Sequence, residues 1–139
     1  MALARSLARA AAAAGMALVS GLPALAHHSF AAYDVVHTRT IKGTVKTFVW
    51  VSPHAELKMW VQPDGGGEPQ EWSIVTSGPP VLTRFGWTRN SIKPGDHVSV
   101  ICNPLRDGSH GGRLHTLVVL DTGKTLETKL SASTEPGEK

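Results

Sequence analysis

From Thr40 onward, apolar and polar residues alternate with the period of two that half-buried strands require. Residues 40–50 are rich in β-branched and aromatic types, and Ile41, Val45 and Val49 share one face. Gly43 lies between the first two of these, where a bend or bulge is expected. Ser52-Pro53 ends the run. Ala55, Leu57, Met59 and Val61 then alternate with His54, Glu56, Lys58 and Trp60, a second half-buried strand. Pro63-Asp64-Gly65-Gly66-Gly67 reads as a hairpin loop, and Gln70 to Thr76 as a third strand around Trp72 and Ile74.

Ser77-Gly78-Pro79-Pro80 starts a helix and Gly86 stops it, predicting a short helix from Pro80 to Phe85 with Trp87 packed just beyond. A tight turn at Lys93-Pro94-Gly95-Asp96 leads into a fourth strand, Asp96 to Asn103. Asp107 to Gly112 reads as a loop, Arg113 to Leu120 as a fifth strand, and Thr125 to Leu130 as a last short one. Three strands, a short helix and two strands is the order of an OB-type barrel, in which the helix plugs the barrel between strands three and four. The expectation is all-β: a small five-stranded OB-like barrel over residues 40–130. Another small barrel or an open sandwich has the same strand count. Residues 27–39 lack periodicity and form an N-terminal arm, and residues 131–139 carry no apolar anchor and are expected to be disordered.

The first 26 residues change the picture. Arg5 and Arg9, a short apolar run from Ala10 to Val19, the breakers Gly21 and Pro23, and Ala24-x-Ala26 make a secretory signal peptide, a cleavable helix. The run is shorter than the roughly 20 residues of a spanning helix, so no membrane span is expected in the processed protein, which should be periplasmic or secreted. Of 14 Lys and Arg, two leave with that leader, against 11 Asp and Glu, so the net charge falls from +3 to +1. That excludes the concentrated basic face of a nucleic-acid binder. Cys102 is the single cysteine, so the fold does not rely on an internal disulfide. It alternates with Val98 and Val100 and reads as a small buried hydrophobe.

The ordered set His27-His28-Ser29-Phe30, Gly43-Thr44-Val45, Trp50-Val51-Ser52-Pro53-His54, Trp72, Ser77-Gly78-Pro79, Arg84-Phe85-Gly86-Trp87-Thr88 and Lys93-Pro94-Gly95-Asp96 resembles a family of uncharacterised exported bacterial proteins. That family is known only as a domain of unknown function. The resemblance runs from about His27 to Leu126. It implies an exported single domain with a small β-fold and brings no activity, substrate or catalytic residue. Where many members read Asn-Pro-His, this chain reads Ser52-Pro53-His54: the histidine matches and the asparagine does not.

Cleavage after Ala26 makes His27 the first residue and His28 the second. An N-terminal histidine offers a metal its α-amine and its imidazole, with ordinary pKa values of about 7.7–8.0 and 6.5, so both can be neutral donors near pH 7. Nitrogen donors of this kind suit Cu(II). A second imidazole, from His28 or His54, would complete a histidine brace, and Glu56 could fix the His54 tautomer. The bland alternatives are a solvated export junction and a His54 that merely hydrogen-bonds a carbonyl. Cleavage before Ala26 would instead place His28 third, as in an amino-terminal copper motif. His37, His97, His110 and His115 are weaker ligand candidates: His110 sits in a glycine-rich loop and is expected to be solvated, and His115 to point outward.

Trp50, Trp60, Trp72 and Trp87 are the aromatic inventory, and Trp50, Trp60 and Trp87 with Arg84 are the candidates for a ligand face. Phe48, Trp50 and Trp60 fall opposite the aliphatic faces, which would leave some of them exposed. Arg84 and Arg89 flank Trp87 and could hold a carboxylate or stack on the indole, although a structural ion pair is the simpler role. The chain has no nucleophile elbow, Cys-x-x-Cys, phosphate loop or His-Glu-x-x-His. An enzyme is therefore the less favoured class, and a brace oxygenase acting on polysaccharide is usually larger. Two readings remain. One is a periplasmic copper-binding protein that handles, buffers or senses the metal, with a periplasmic protein as a further partner. The other is a metal-free OB-type module taking a protein or small ligand on a tryptophan-lined face.

Overall fold

The computed structural model describes residues 30–128. The expected signal helix, His27, His28 and the tail 131–139 lie outside the described residues. Among those described, no helix is long and apolar enough to cross a membrane.

Strand β1 (Arg39–Val49) serves two partners in turn. Arg39 to Thr44 pairs antiparallel with β4 (His97–Pro104), and Thr44 to Val49 pairs antiparallel with β2 (Glu56–Val61). β2 pairs with β3 (Gln70–Val75), and β4 with β5 (Gly111–Val119). The barrel closes where Ser73, Ile74 and Val75 run parallel to Gly111, Gly112 and Arg113. The circuit is β1-β2-β3-β5-β4, the five-stranded OB-like barrel expected from the sequence. A sixth strand, β6 (Lys124–Glu127), extends the sheet by pairing with Thr116 to Val119, on the edge of β5 that β3 uses nearer its start.

The helix α1 (Pro79–Arg84) lies between β3 and β4 and begins one residue earlier than the sequence pattern suggests. Two prolines occupy its first positions, where no intrahelical N–H is required. Leu82 is its fully buried residue and plugs the barrel. The amides of Phe85 and Trp87 both return to the Leu82 carbonyl, which ends the helix and turns Trp87 inward.

Three features depart from the alternation read along the chain. First, β1 carries a bulge between Val45 and Thr47, where Lys46 is the extra residue. Beyond it the faces exchange. Val49 is exposed, while Phe48 and Trp50 pack against the core, the reverse of the expectation. Second, Gly43 is not the bulge. It marks the place where the β2 backbone passes so close that a Cβ would strike the Trp60 carbonyl oxygen. Third, Gly111 and Gly112 belong to β5 rather than to a loop, because the closing contact leaves no room for side chains. A Cβ at Gly112 would lie 2.7 Å from Cys102 Sγ and 2.9 Å from the Asn103 carbonyl oxygen.

The core holds Ile41, Val45, Leu57, Met59, Ile74, Val98, Val100, Leu114 and Leu117 together with Trp72 and Trp87. Cys102 is fully buried in it, and burial pushes its thiol pKa up to about 11 from 9.0. The folded protein therefore keeps this proton in a pH range where the unfolded chain releases it. This contribution to stability is complete below pH 9 and is lost as pH rises from 9 towards 11. Native protein at pH 8 should resist a thiol reagent such as DTNB, with full labelling only in denaturant. Rapid labelling of the native state would contradict this burial.

Candidate functional site

The arm enters the described structure through a 3₁₀ turn at Phe30–Ala32 and lies along the end of β4. Tyr33 bridges to Leu105, the Asp34 amide donates to the Pro104 carbonyl at 2.8 Å, and Arg106 Nε donates to the Tyr33 carbonyl at 2.9 Å. Asn103 is the pin. Its buried amide donates to the carbonyls of Asp34 and His37, each at 2.8 Å, and its oxygen meets His115 Nε2. His115 is thus half-buried and engaged rather than turned outward. Burial and the nearby Arg113 charge both lower its pKa.

This docking builds one wall of a cavity of about 420 Å³. Tyr33 comes from the arm, Val51 to Ala55 from the β1–β2 loop, Val75 to Ser77 from the end of β3, and Arg113 from β5. The loop contains a cis Ser52–Pro53 peptide. It is fastened by the Ala55 amide donating to the Ser77 carbonyl at 3.2 Å and the Thr76 amide donating to the Ala55 carbonyl at 3.0 Å. The register then sets the charges. Glu56 is the direct partner of Val75 in β2–β3, and Arg113 is the direct partner of Val75 in β3–β5. Directly paired residues share a face, so a carboxylate and a guanidinium flank an apolar floor.

Burial keeps the Tyr33 phenol above its ordinary pKa, with Arg113 pulling it down and Glu56 adding to the rise; it is a neutral donor at pH 7. Burial also lowers the pKa of Arg113, which remains a cation at neutral pH. Glu56 Oε1 accepts a hydrogen bond from Ser73 Oγ at 2.5 Å. Thr76, another lining residue, is 3% exposed and its Oγ1 has no hydrogen-bond partner.

Of the residues singled out from the sequence, His54 and Glu56 stand in the walls of this cavity, His54 exposed and Glu56 half-buried. The ligand-face set does not converge. Trp87 is 1% exposed and its Nε1 donates to the Glu127 carbonyl at 2.9 Å, so it offers no surface to a ligand. Trp50 packs edge-on to Phe48 with ring centroids 5.7 Å apart. Trp72 is a core residue, with the Arg39 guanidinium 5.1 Å from its ring centroid. Trp60 alone of the four is exposed, with the Lys46 ammonium 4.6 Å from its ring centroid. Arg84 is exposed in the last turn of α1 and does not line the cavity.

The remaining histidines are engaged elsewhere. His37 pairs with Asp34 at 2.8 Å and His97 with Asp121 at 3.1 Å. His110 is exposed in its loop, as expected, and also stacks on Trp72 with centroids 5.1 Å apart. No group of three or more His, Cys, Asp or Glu that could hold a metal occurs among the described residues. Tyr33 and Arg113 are the site residues that sequence reasoning missed. Tyr33 sits in an aperiodic segment, and Arg113 follows a Gly-Gly pair read as loop.

The structure defines an OB-like barrel with a cavity on its wall, apolar in its floor and flanked by Glu56 and Arg113, and an N-terminal arm laid beside it. The chain belongs to DUF6152, a family of unknown function, whose model matches residues 15–114. No curated protein matches the sequence. Among solved structures, it is similar to the mitochondrial single-stranded DNA binding protein Rim1 of S. cerevisiae. The identity is 14% and the TM-score 0.47, over 60% of this chain and 93% of that one. It is also similar to the ZRD-deleted mutant of TiaS in complex with agmatine. There the identity is 13% and the TM-score 0.44, over 73% of this chain and 25% of that one.

Proposed function

We propose that the protein is exported and binds copper through the N-terminal histidine of its processed form, to handle, buffer or sense the metal in the periplasm. One observation carries the reading: the arm that follows the two histidines docks Tyr33 into the wall of the cavity that also holds His54. His27 precedes Tyr33 by six residues. Six residues span at most roughly 20 Å when extended, ample for the new amino terminus to fold back to His54. His27 would supply amine and imidazole, and His54 or His28 the second imidazole. Such an all-nitrogen donor set favours Cu(II) over other divalent first-row metals. Glu56, two residues along from His54, is the oxygen suited to fixing its tautomer.

The test is a Cu(II) titration of the processed protein followed by electron paramagnetic resonance. One equivalent should bind. His27→Ala should abolish the site because it removes a bidentate chelate. One residue added ahead of His27 should weaken or rearrange it, since the amine becomes a peptide nitrogen. His54→Ala should weaken binding if the arm folds back, and leave it intact if His28 completes the site. Binding should fade below about pH 6, where imidazole and amine are protonated. Unchanged affinity in both the extended form and His27→Ala would overturn the copper reading and favour a metal-free binding module. With Trp87 and Trp72 in the core, such a module has no tryptophan-lined face and would rely on the cavity or on Trp60 beside Lys46.

A further inference from the structure

The cavity has a charge pair, Glu56 and Arg113, of which the copper reading calls on Glu56 alone. Across three adjacent strands the order is Glu56, Val75, Arg113, at one level of the sheet. Neighbouring strands are about 4.8 Å apart, so the backbones bearing the two charges are about 10 Å apart, with the valine side chain between them. Val51, Pro53 and Ala55 add apolar wall, and the Tyr33 and Ser77 side chains add polar groups beside it. A cavity of 420 Å³ falls within the range of pockets that hold small molecules.

A simple anion would meet the Glu56 carboxylate, and a simple cation would meet the Arg113 guanidinium. The ligand matched to both is one that carries both charges at one end and an apolar group at the other. We propose that the cavity binds a free α-amino acid with an apolar side chain. Its ammonium faces Glu56, its carboxylate faces Arg113, and its side chain lies against Val75 and the Val51–Pro53 wall. Arginine suits the carboxylate because its planar fork can donate two parallel hydrogen bonds. Glu56 is held in place by the Ser73 hydroxyl on one oxygen, which leaves acceptor capacity for an ammonium group. The inference does not require the metal.

The experiment uses the processed, isotope-labelled protein with a chelator present, so that no amino acid–copper complex contributes. L-leucine is titrated while backbone amide resonances are followed. Shifts should saturate and centre on Ala55, Val75 and Ser77. Leucinamide, which lacks the carboxylate, and N-acetyl-leucine, which lacks the ammonium, should each bind at least tenfold more weakly. Arg113→Gln should erase the preference for leucine over leucinamide, and Glu56→Gln the preference for leucine over N-acetyl-leucine. These crossed losses distinguish recognition from general damage to the fold, and the analogue series on unaltered protein stands even if a variant fails to fold. No saturable shift at tens of millimolar leucine, or equal binding of all three compounds, would overturn the proposal. Because copper is titrated separately on the same protein, failure here leaves that reading untouched, and failure of copper binding leaves this one.

Discussion

Gly43→Ala should destabilise the barrel by about 3 kcal/mol, the upper end of what overpacking a core costs. The added methyl would clash with the Trp60 carbonyl oxygen and lie 2.7 Å from Met59 Cε. The methionine end can swing away. The carbonyl cannot, because Trp60 is paired on one side with Thr44 and on the other with Glu71, and moving it disturbs both ladders. Thr44 is also the residue at which β1 passes from β4 to β2, so the strain falls on the strand shared by both halves of the barrel. Urea titration measures the effect. Gly65→Ala, in the open hairpin loop with nothing within 4 Å of the new methyl, is the control and should stay within about 0.5 kcal/mol of wild type. A Gly43→Ala midpoint equal to the control's would mean that the β1–β2 approach is looser than described.

That glycine also shows what the sequence makes legible. Alternation located β2 and β3 well, because nothing interrupts either strand and each keeps one face inward throughout. It failed on β1, because a single extra residue, Lys46, reverses every side chain after it, and period-two reading has no means of counting a bulge. The reason for Lys46 at that position appears only in three dimensions. Its ammonium reaches Glu71 on β3 and lies beside the Trp60 ring, and that contact holds the Glu71 carboxyl below its ordinary pKa. Glycine was ambiguous for a similar reason. Gly65 to Gly67 turn a hairpin, while Gly111 and Gly112 make room for a parallel strand pair. Both read as loop, since composition alone does not separate freedom of the backbone from lack of space.

The site was legible only in its local part. His54 and Glu56 are two residues apart where the β1–β2 loop enters β2, so their common place in one wall is local in sequence. Tyr33 and Arg113 reach the same cavity from 21 residues before His54 and 59 after it. What unites them is the parallel closure of β3 on β5 and the pinning of the arm by Asn103. Both are contacts of high sequence separation that leave no periodic trace. The tryptophans illustrate the converse. Their number suggested a binding face, but one bulge turns Trp50 inward, one helix end Trp87, and the alternation of β3 Trp72.

Trp87 and Trp60 should therefore behave in opposite ways when truncated. Trp87→Ala should cost about 3–5 kcal/mol, the range for removing a large aromatic side chain from a core. Trp87 is 1% exposed, its ring centroid is 6.0 Å from that of Phe48, and it holds the last strand through Nε1 on the Glu127 carbonyl. The loss would combine a large cavity beside the Leu82 plug with release of β6, so faster hydrogen exchange should appear around Leu126 to Thr128. Trp87→Phe separates the two parts. It keeps most of the volume and removes the hydrogen bond, a loss of about 1 kcal/mol plus residual packing cost. Trp60→Ala should cost less than about 1 kcal/mol, because the ring is 40% exposed and its cation–π contact with Lys46 lies at the surface. Denaturant midpoints of the three variants test the ordering. If Trp87→Ala proved as mild as Trp60→Ala, Trp87 would be a surface residue after all, and a tryptophan-lined face would be open to a ligand.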